Sequence, residues 1–161
     1  MPSPNETANH RAAPAILAGL RMYLGLVLLV AVWPKLFGDV RFASQLPMIL
    51  ERLGEGAHPA YRAFLHGVVI PHAGVFAVLV MAGEVVAGLA LVTGTATRLG
   101  AAVASLLFIN YMALKGTVPW APSSNDAAFL VIAVALLLGA AGRSLGVDRV
   151  LAARWPKVPL W

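Results

Sequence analysis

Residues 75–92 read VFAVLVMAGEVVAGLALV, eighteen consecutive positions in which Glu84 is the only charged side chain. At 1.5 Å of rise per residue the run reaches about 27 Å, close to the ~30 Å hydrocarbon core of a bilayer. A lone carboxylate at the centre of such a helix costs roughly 2.5–3.5 kcal/mol, so it is expected to face a partner, a cavity or a substrate instead of lipid. Glu84 is therefore the first candidate for function, as a proton donor or acceptor. The competing structural reading is a hydrogen bond to a neighbouring helix, or a neutral acid.

The rest of the chain agrees with a membrane setting. Hydrophobic residues make up 60% of the 161 positions and charged residues 12%, whereas soluble domains are about a quarter charged. Further apolar runs cover Ile16–Trp33, Leu99–Leu114 and Ala127–Gly142. A soluble helical bundle would need polar faces recurring every three or four residues, which the runs from Val75 and Ala127 lack. The expected fold is an all-α integral membrane protein, a bundle of four transmembrane helices over about 15–34, 72–93, 98–115 and 126–143, within a single domain over 14–151. Residues 1–13 read as a disordered polar tail and 152–161 as a cytoplasmic tail.

The long connection over 35–71 is too long to be featureless and is expected to carry short interfacial helices. Phe42, Leu46, Ile49, Leu50 and Leu53 recur at helical spacing, with Pro47 arguing for a break or a late start. A second short helix is expected from Pro59 through Tyr61, Phe64 and Leu65. This surface layer reads either as a lid or docking surface over the bundle, or as an anchor that fills space. Basic residues are nearly balanced across the two sides, but Arg11, Arg98, Arg143, Arg149, Arg154 and Lys157 cluster near membrane ends, which favours both termini in the cytoplasm. Headgroup contacts account for the net charge of +5, so no nucleic-acid partner is expected.

What is missing narrows the chemistry. Without cysteine, the chain itself cannot run thiol exchange or ligate an iron–sulfur cluster. None of His10, His58, His66 and His72 lies well inside a span, and the six-residue spacing of His66 and His72 around Pro71 matches no metal-ligand pattern. No metal, haem or nucleotide is expected, since glycine-loop and dinucleotide motifs are lacking too.

The polar residues within the spans then make up the candidate site. Depth along the helices places Arg21, Tyr23, Glu84 and Asn110 at roughly 7, 10, 13 and 16 Å from the cytoplasmic side, close enough to share a layer. Side chains lean toward their own helix N-terminus, so Arg21 leans to the cytoplasm and Glu84 leans outward, which makes a direct ion pair possible but stretched. Arg21 can alternatively snorkel to headgroups. Glu84 can instead meet Tyr23, Asn110 or the outer group Asn125 and Asp126, although Asp126 at the start of the last span also suits a helix dipole. Small residues four apart, Gly83 with Ala87, Ala90 with Gly94 and Ala135 with Gly139, allow close helix approach.

Several of these residues carry a family resemblance over roughly 20–151. They are Leu20-Arg21, Gly25, Lys35-Leu36, Pro59, Tyr61, Phe64-Leu65, Gly83-Glu84, Gly88, Gly94, Thr97-Arg98, Asn110-Tyr111, Asn125-Asp126, Ala141-Gly142-Arg143, Gly146 and Asp148. In this ordered set the chain resembles the DoxX superfamily of small four-span bacterial membrane proteins, and is most similar to its DoxD branch, the small subunit of thiosulfate:quinone oxidoreductase. The resemblance implies a plasma-membrane subunit of an oxidoreductase system that passes electrons to quinone, with a redox subunit as partner and a homo-oligomer as a further possibility. A quinone headgroup would then be held in the polar layer by Arg21, Tyr23, Asn110, Asn125 and Asp126 around Glu84. A non-catalytic scaffold or assembly subunit is the alternative reading, and a small-solute transporter the second.

Overall fold

The computed structural model describes residues 4–121, 124–139 and 146–155, and among these there is helix and no strand. The elements are α1 (Pro4–Phe37), α2 (Phe42–Leu53), a 3₁₀ turn (Gly54–Gly56), α3 (Pro59–Phe64), a π-helical turn (Leu65–Val69), α4 (Ala73–Thr93), α5 (Thr97–Lys115), α6 (Asn125–Leu138) and α7 (Val147–Arg154). Three segments, Pro14–Phe37, Ala73–Thr93 and Thr97–Lys115, are long and apolar enough to cross a membrane, and the apolar α6 is shorter. The expected all-α membrane bundle is therefore what the chain forms.

The boundaries differ from expectation in informative ways. Helix α1 begins at Pro4, upstream of the span start near residue 15, so residues 4–13 are helical where a disordered tail was expected. Adding residues to an existing helix costs far less than starting one, and Ala8, Ala12 and Ala13 are good helix formers. At its other end α1 continues to Phe37 through Pro34, three residues past the expected limit. Helix α6 closes at Leu138, with the Gly139 N–H bonded to the Ala135 carbonyl, and the remainder of the expected last span, over 140–143, lies outside the described residues. Helix α7 extends into the segment assigned to the C-terminal tail, as far as Arg154.

Within the long connection, Pro47 neither breaks nor delays α2, which starts at Phe42. Pro47 is the sixth residue of α2, beyond the first-turn N–H groups that lack intrahelical partners, so it removes one intrahelical bond, the one to the Ala43 carbonyl. Burial of Leu46 and Leu50 against α4 offsets that loss. The second short helix starts at Pro59 as the spacing predicts, and it ends in the π-helical turn that carries Leu65.

The four long helices form a ring in chain order, with α1 against α4, α4 against α5, α5 against α6 and α6 against α1. Small residues set two of these approaches. A Cβ at Gly25 would lie 2.8 Å from Val92 Cγ2 and 2.9 Å from the Gly88 carbonyl oxygen, so α1 and α4 meet backbone to backbone. A Cβ at Gly100 would lie 2.8 Å from Ala90 Cβ, closing α4 on α5. The core of the ring is Leu24, Leu28, Leu91, Ala104, Phe108 and Leu136, among others. A second apolar cluster, Leu46, Leu50, Leu65, Val69, Ala77 and Leu114, fastens the α2–α3 layer onto one end of the bundle, here called the loop side.

The opposite end is closed by backbone chemistry. Gly94 ends α4 in the left-handed region at φ 71°, and its N–H bonds to the Ala90 carbonyl. The Asp148 carboxylate accepts the N–H groups of Ala96 at 2.6 Å and Thr97 at 2.8 Å, which caps α5 from α7, while the Asp148 N–H donates to the Gly94 carbonyl at 2.8 Å. The buried Arg21 guanidinium lies against Gly94. The start of α1's span, the α4–α5 turn and α7 thus share this turn side.

Candidate functional site

Glu84 is 1% exposed and fully partnered. Its two carboxylate oxygens accept from Lys35 Nζ at 2.5 and 2.6 Å, and Oε1 also accepts from the Tyr111 hydroxyl at 2.6 Å. Helix direction explains the convergence. Glu84 on α4 leans toward the loop side, whereas Lys35 on α1 and Tyr111 on α5 start nearer the loop side and lean back toward the middle of the bundle. The Lys35 ammonium also sits 5.3 Å from the Phe42 ring centroid and 5.9 Å from that of Tyr111, so aromatic faces help to hold the charge.

This cluster forms the floor of a cavity of about 650 Å³ lying between the two apolar clusters, roofed by the α2–α3 layer. Its walls are mostly aliphatic and aromatic. A second ion pair lines it, Lys115 Nζ to Asp126 Oδ2 at 2.7 Å, with the lysine side chain 42% exposed toward the loop side. Tyr61 and Asn110 also line it, the Tyr61 hydroxyl donating to Asn110 Oδ1 at 3.3 Å while Asn110 Nδ2 donates to the Leu106 carbonyl at 2.8 Å. Burial pushes the Tyr61 phenol up from its ordinary range, which keeps it a proton-bearing donor. Among the described residues, the charged groups lining the cavity are thus two neutral pairs, each lysine facing one carboxylate.

Of the residues read from the sequence, Glu84, Asn110 and Asp126 meet at this cavity, and Arg21, Tyr23 and Asn125 do not line it. Arg21 is buried 2% exposed on the turn side beside Gly94, so it neither pairs with Glu84 nor snorkels outward. Its own lean toward the α1 N-terminus carries it away from Glu84. Tyr23 is half exposed on the outer face of α1, packed against Phe129 at 6.3 Å between centroids. Asn125 is exposed at the start of α6. Asp126 does lie in the first turn of α6, where the helix dipole favours it, but its carboxylate is committed to Lys115.

The site residues that the depth argument missed are Lys35, Tyr61, Tyr111 and Lys115. Lys35 lies one residue beyond the expected end of the first span, in the stretch expected to be loop. Yet a lysine within a turn or so of a helix end has the reach to bring its charge several residues inward, and the outward lean of Glu84 pointed to that end of the bundle. Tyr111 was visible as the neighbour of Asn110 and as one turn before Lys115 on the same helix face.

No curated protein matches the chain, and no solved structure does. The DoxX family model matches residues 16–116, which takes in α1 from the start of its span, the α2–α3 layer, α4 and the whole of α5, and with them Lys35, Glu84 and Tyr111. The chain belongs to the DoxX family.

Proposed function

We propose that this DoxX-family membrane protein is a subunit of a DoxD-like, quinone-linked oxidoreductase system and that it binds a quinone headgroup in the cavity above Glu84. The observation that carries the proposal is the Lys35–Glu84–Tyr111 cluster at the floor of an otherwise apolar cavity of about 650 Å³. Ligand sites commonly have this build, with apolar walls and a few convergent polar groups in a volume of roughly 300–1,000 Å³.

The residues suit such a headgroup. A bound quinone supplies two-electron, two-proton redox chemistry, and its carbonyl oxygens are hydrogen-bond acceptors. Lys35 and Tyr111 present donors, and Tyr61 offers a third from the roof. Protonation of Glu84 would weaken its hold on Lys35 Nζ and the Tyr111 hydroxyl and leave both free to donate upward into the cavity. Glu84 thereby holds the proton, and its two neighbours report its protonation state to the ligand. The neutral balance of lysines and carboxylates favours an uncharged headgroup over an anion. Electrons come from a partner subunit in this reading.

We further infer a bacterial plasma-membrane location with the turn side, and both termini with it, in the cytoplasm, on the strength of the basic residues near that side. Quinone extracted from purified protein tests the central proposal. Lys35→Met, combined with Glu84→Gln so that no charge is left stranded, removes the charged donor, and bound quinone should fall about tenfold, the equivalent of one charge-assisted hydrogen bond. Retention at the wild-type level in a folded variant would overturn the assignment.

A further inference from the structure

The walls of the cavity carry residues that also face outward. Phe64, Leu79 and Leu106 line it, and they are 42%, 58% and 61% exposed. A residue that is at once cavity wall and outer surface marks a place where the wall is open. Leu79 lies six residues beyond Ala73, about 9 Å along α4, and Leu106 lies nine residues before Lys115, about 14 Å along α5. Both distances run from the loop side, so the opening is at hydrocarbon depth and not at the water interface. The three groups framing it are apolar; of the polar lining, Asn110 lies one turn from Leu106 with its amide already bonded to Tyr61 and the Leu106 carbonyl, and the charged groups are set back at the floor, around Glu84, and toward the loop-side end, around Lys115.

We propose that the cavity is loaded sideways from the bilayer through a portal framed by Phe64, Leu79 and Leu106, and that its occupant is a bilayer-dissolved lipophile with one uncharged polar head and an apolar tail. The head reaches the Lys35–Glu84–Tyr111 floor, and the tail lies out through the portal among lipid chains. A water-soluble solute would have to cross an apolar frame at a depth where water is scarce, so the portal selects for partition into the membrane. A charged head would meet the two neutral ion pairs with no surplus charge to balance it. A cavity of about 650 Å³ has room for a one-ring head together with the first part of its tail, and the rest of a long tail lies outside. This inference deepens the proposed function, on which the choice of a quinone head rests, but the portal itself rests only on the placement of the apolar frame.

Two photoreactive probes separate the two ideas. Each carries the same saturated alkyl tail with a mid-chain diazirine, one ending in a benzoquinone and the other in a plain alcohol, and each is irradiated with the full-length protein in phosphatidylcholine nanodiscs. Labelling is mapped by mass spectrometry and compared with Val30 on α1 and Val131 on α6, which are 71% and 68% exposed and line no part of the cavity. The quinone probe should label the α4 and α5 segments around Leu79 and Leu106 about tenfold more than these controls, and Leu106→Trp, at an exposed position that tolerates bulk, should remove most of that excess. Equal enrichment by the alcohol probe supports the portal and overturns the quinone reading. Labelling no higher than at Val30 and Val131 with either probe, or enrichment unchanged in both Leu106→Trp and Leu79→Trp, overturns the portal.

Discussion

Glu84 is held by partners from two other helices, and that arrangement makes the cost of disturbing it predictable. Lys35→Met leaves a carboxylate 1% exposed with one neutral donor, and breaking a buried pair from one side costs about 3–5 kcal/mol. We expect a clear loss of thermal stability in detergent, and we expect Glu84→Gln added to Lys35→Met to recover part of it, since the second change removes the stranded charge. Strictly additive losses in that double-mutant cycle would show the two residues to be uncoupled. Tyr111→Phe deletes one hydrogen bond to a charged group and should cost about 1.5–3 kcal/mol in the same measurement. At this scale the sequence marked Glu84 unmistakably, because a lone carboxylate in an apolar run is visible without a fold. Its partners were not legible in the same way. Depth counting gave Arg21 and Tyr23, and the structure turns one away toward Gly94 and the other to the outer face of α1. Depth fixes only the coordinate along a helix, and rotation about the axis decides which neighbour a side chain meets.

Helix identity was far more legible than helix contact. Apolar runs and their flanking breakers located α4, α5 and the core of α1, and the spacing of Phe42, Leu46 and Leu50 located α2 despite Pro47. Which small residues bring helices together was only partly visible. Ala90 does meet α5, at Gly100, but Gly83 makes ordinary contacts with Leu107 and Val103 near 3.6 Å, and the closest approach of α1 to α4 is at Gly25 and Gly88. Gly25→Ala should therefore cost about 1–3 kcal/mol through overpacking, while Gly19→Ala, on the same helix with nothing within 4 Å of the added methyl, should stabilise it by up to about 1 kcal/mol. Melting temperatures of the two variants that shift in the same direction would contradict this account of the α1–α4 contact. Asp148 provides a second test at this scale. It sits far along the chain from α5 yet accepts two of that helix's first N–H groups, so Asp148→Asn should lower stability by about 1.5–3 kcal/mol. Limited proteolysis should then cut first within or before α7, and an unchanged cleavage pattern would argue that α7 is held by other contacts.

For the molecule as a whole, the ring of four helices places the α4–α5 turn and α7 at one end and the α2–α3 layer at the other. The chain contains no cysteine, so single substitutions report sidedness cleanly. Glu55→Cys should react with a membrane-impermeant maleimide in cells whose outer membrane alone has been opened, and Thr95→Cys, at an exposed position of the turn, only after the inner membrane is breached. The reverse pattern would invert the proposed topology and put the cavity above Glu84 near the cytoplasmic leaflet. Composition and hydrophobic runs by themselves determined that the chain is a helical membrane protein, because transfer of apolar surface out of water and the need to satisfy backbone groups in lipid leave few other outcomes for such a sequence. They also singled out Glu84, since an isolated charge in that setting demands compensation. Only the tertiary structure decided what the compensation is. Lys35 and Glu84 are 49 positions apart, and their pairing depends on the relative rotation and offset of α1 and α4, set by the contact of Gly25 with Gly88 and by the α2–α3 layer above them. Those quantities arise from packing between elements, which no local pattern in the chain encodes.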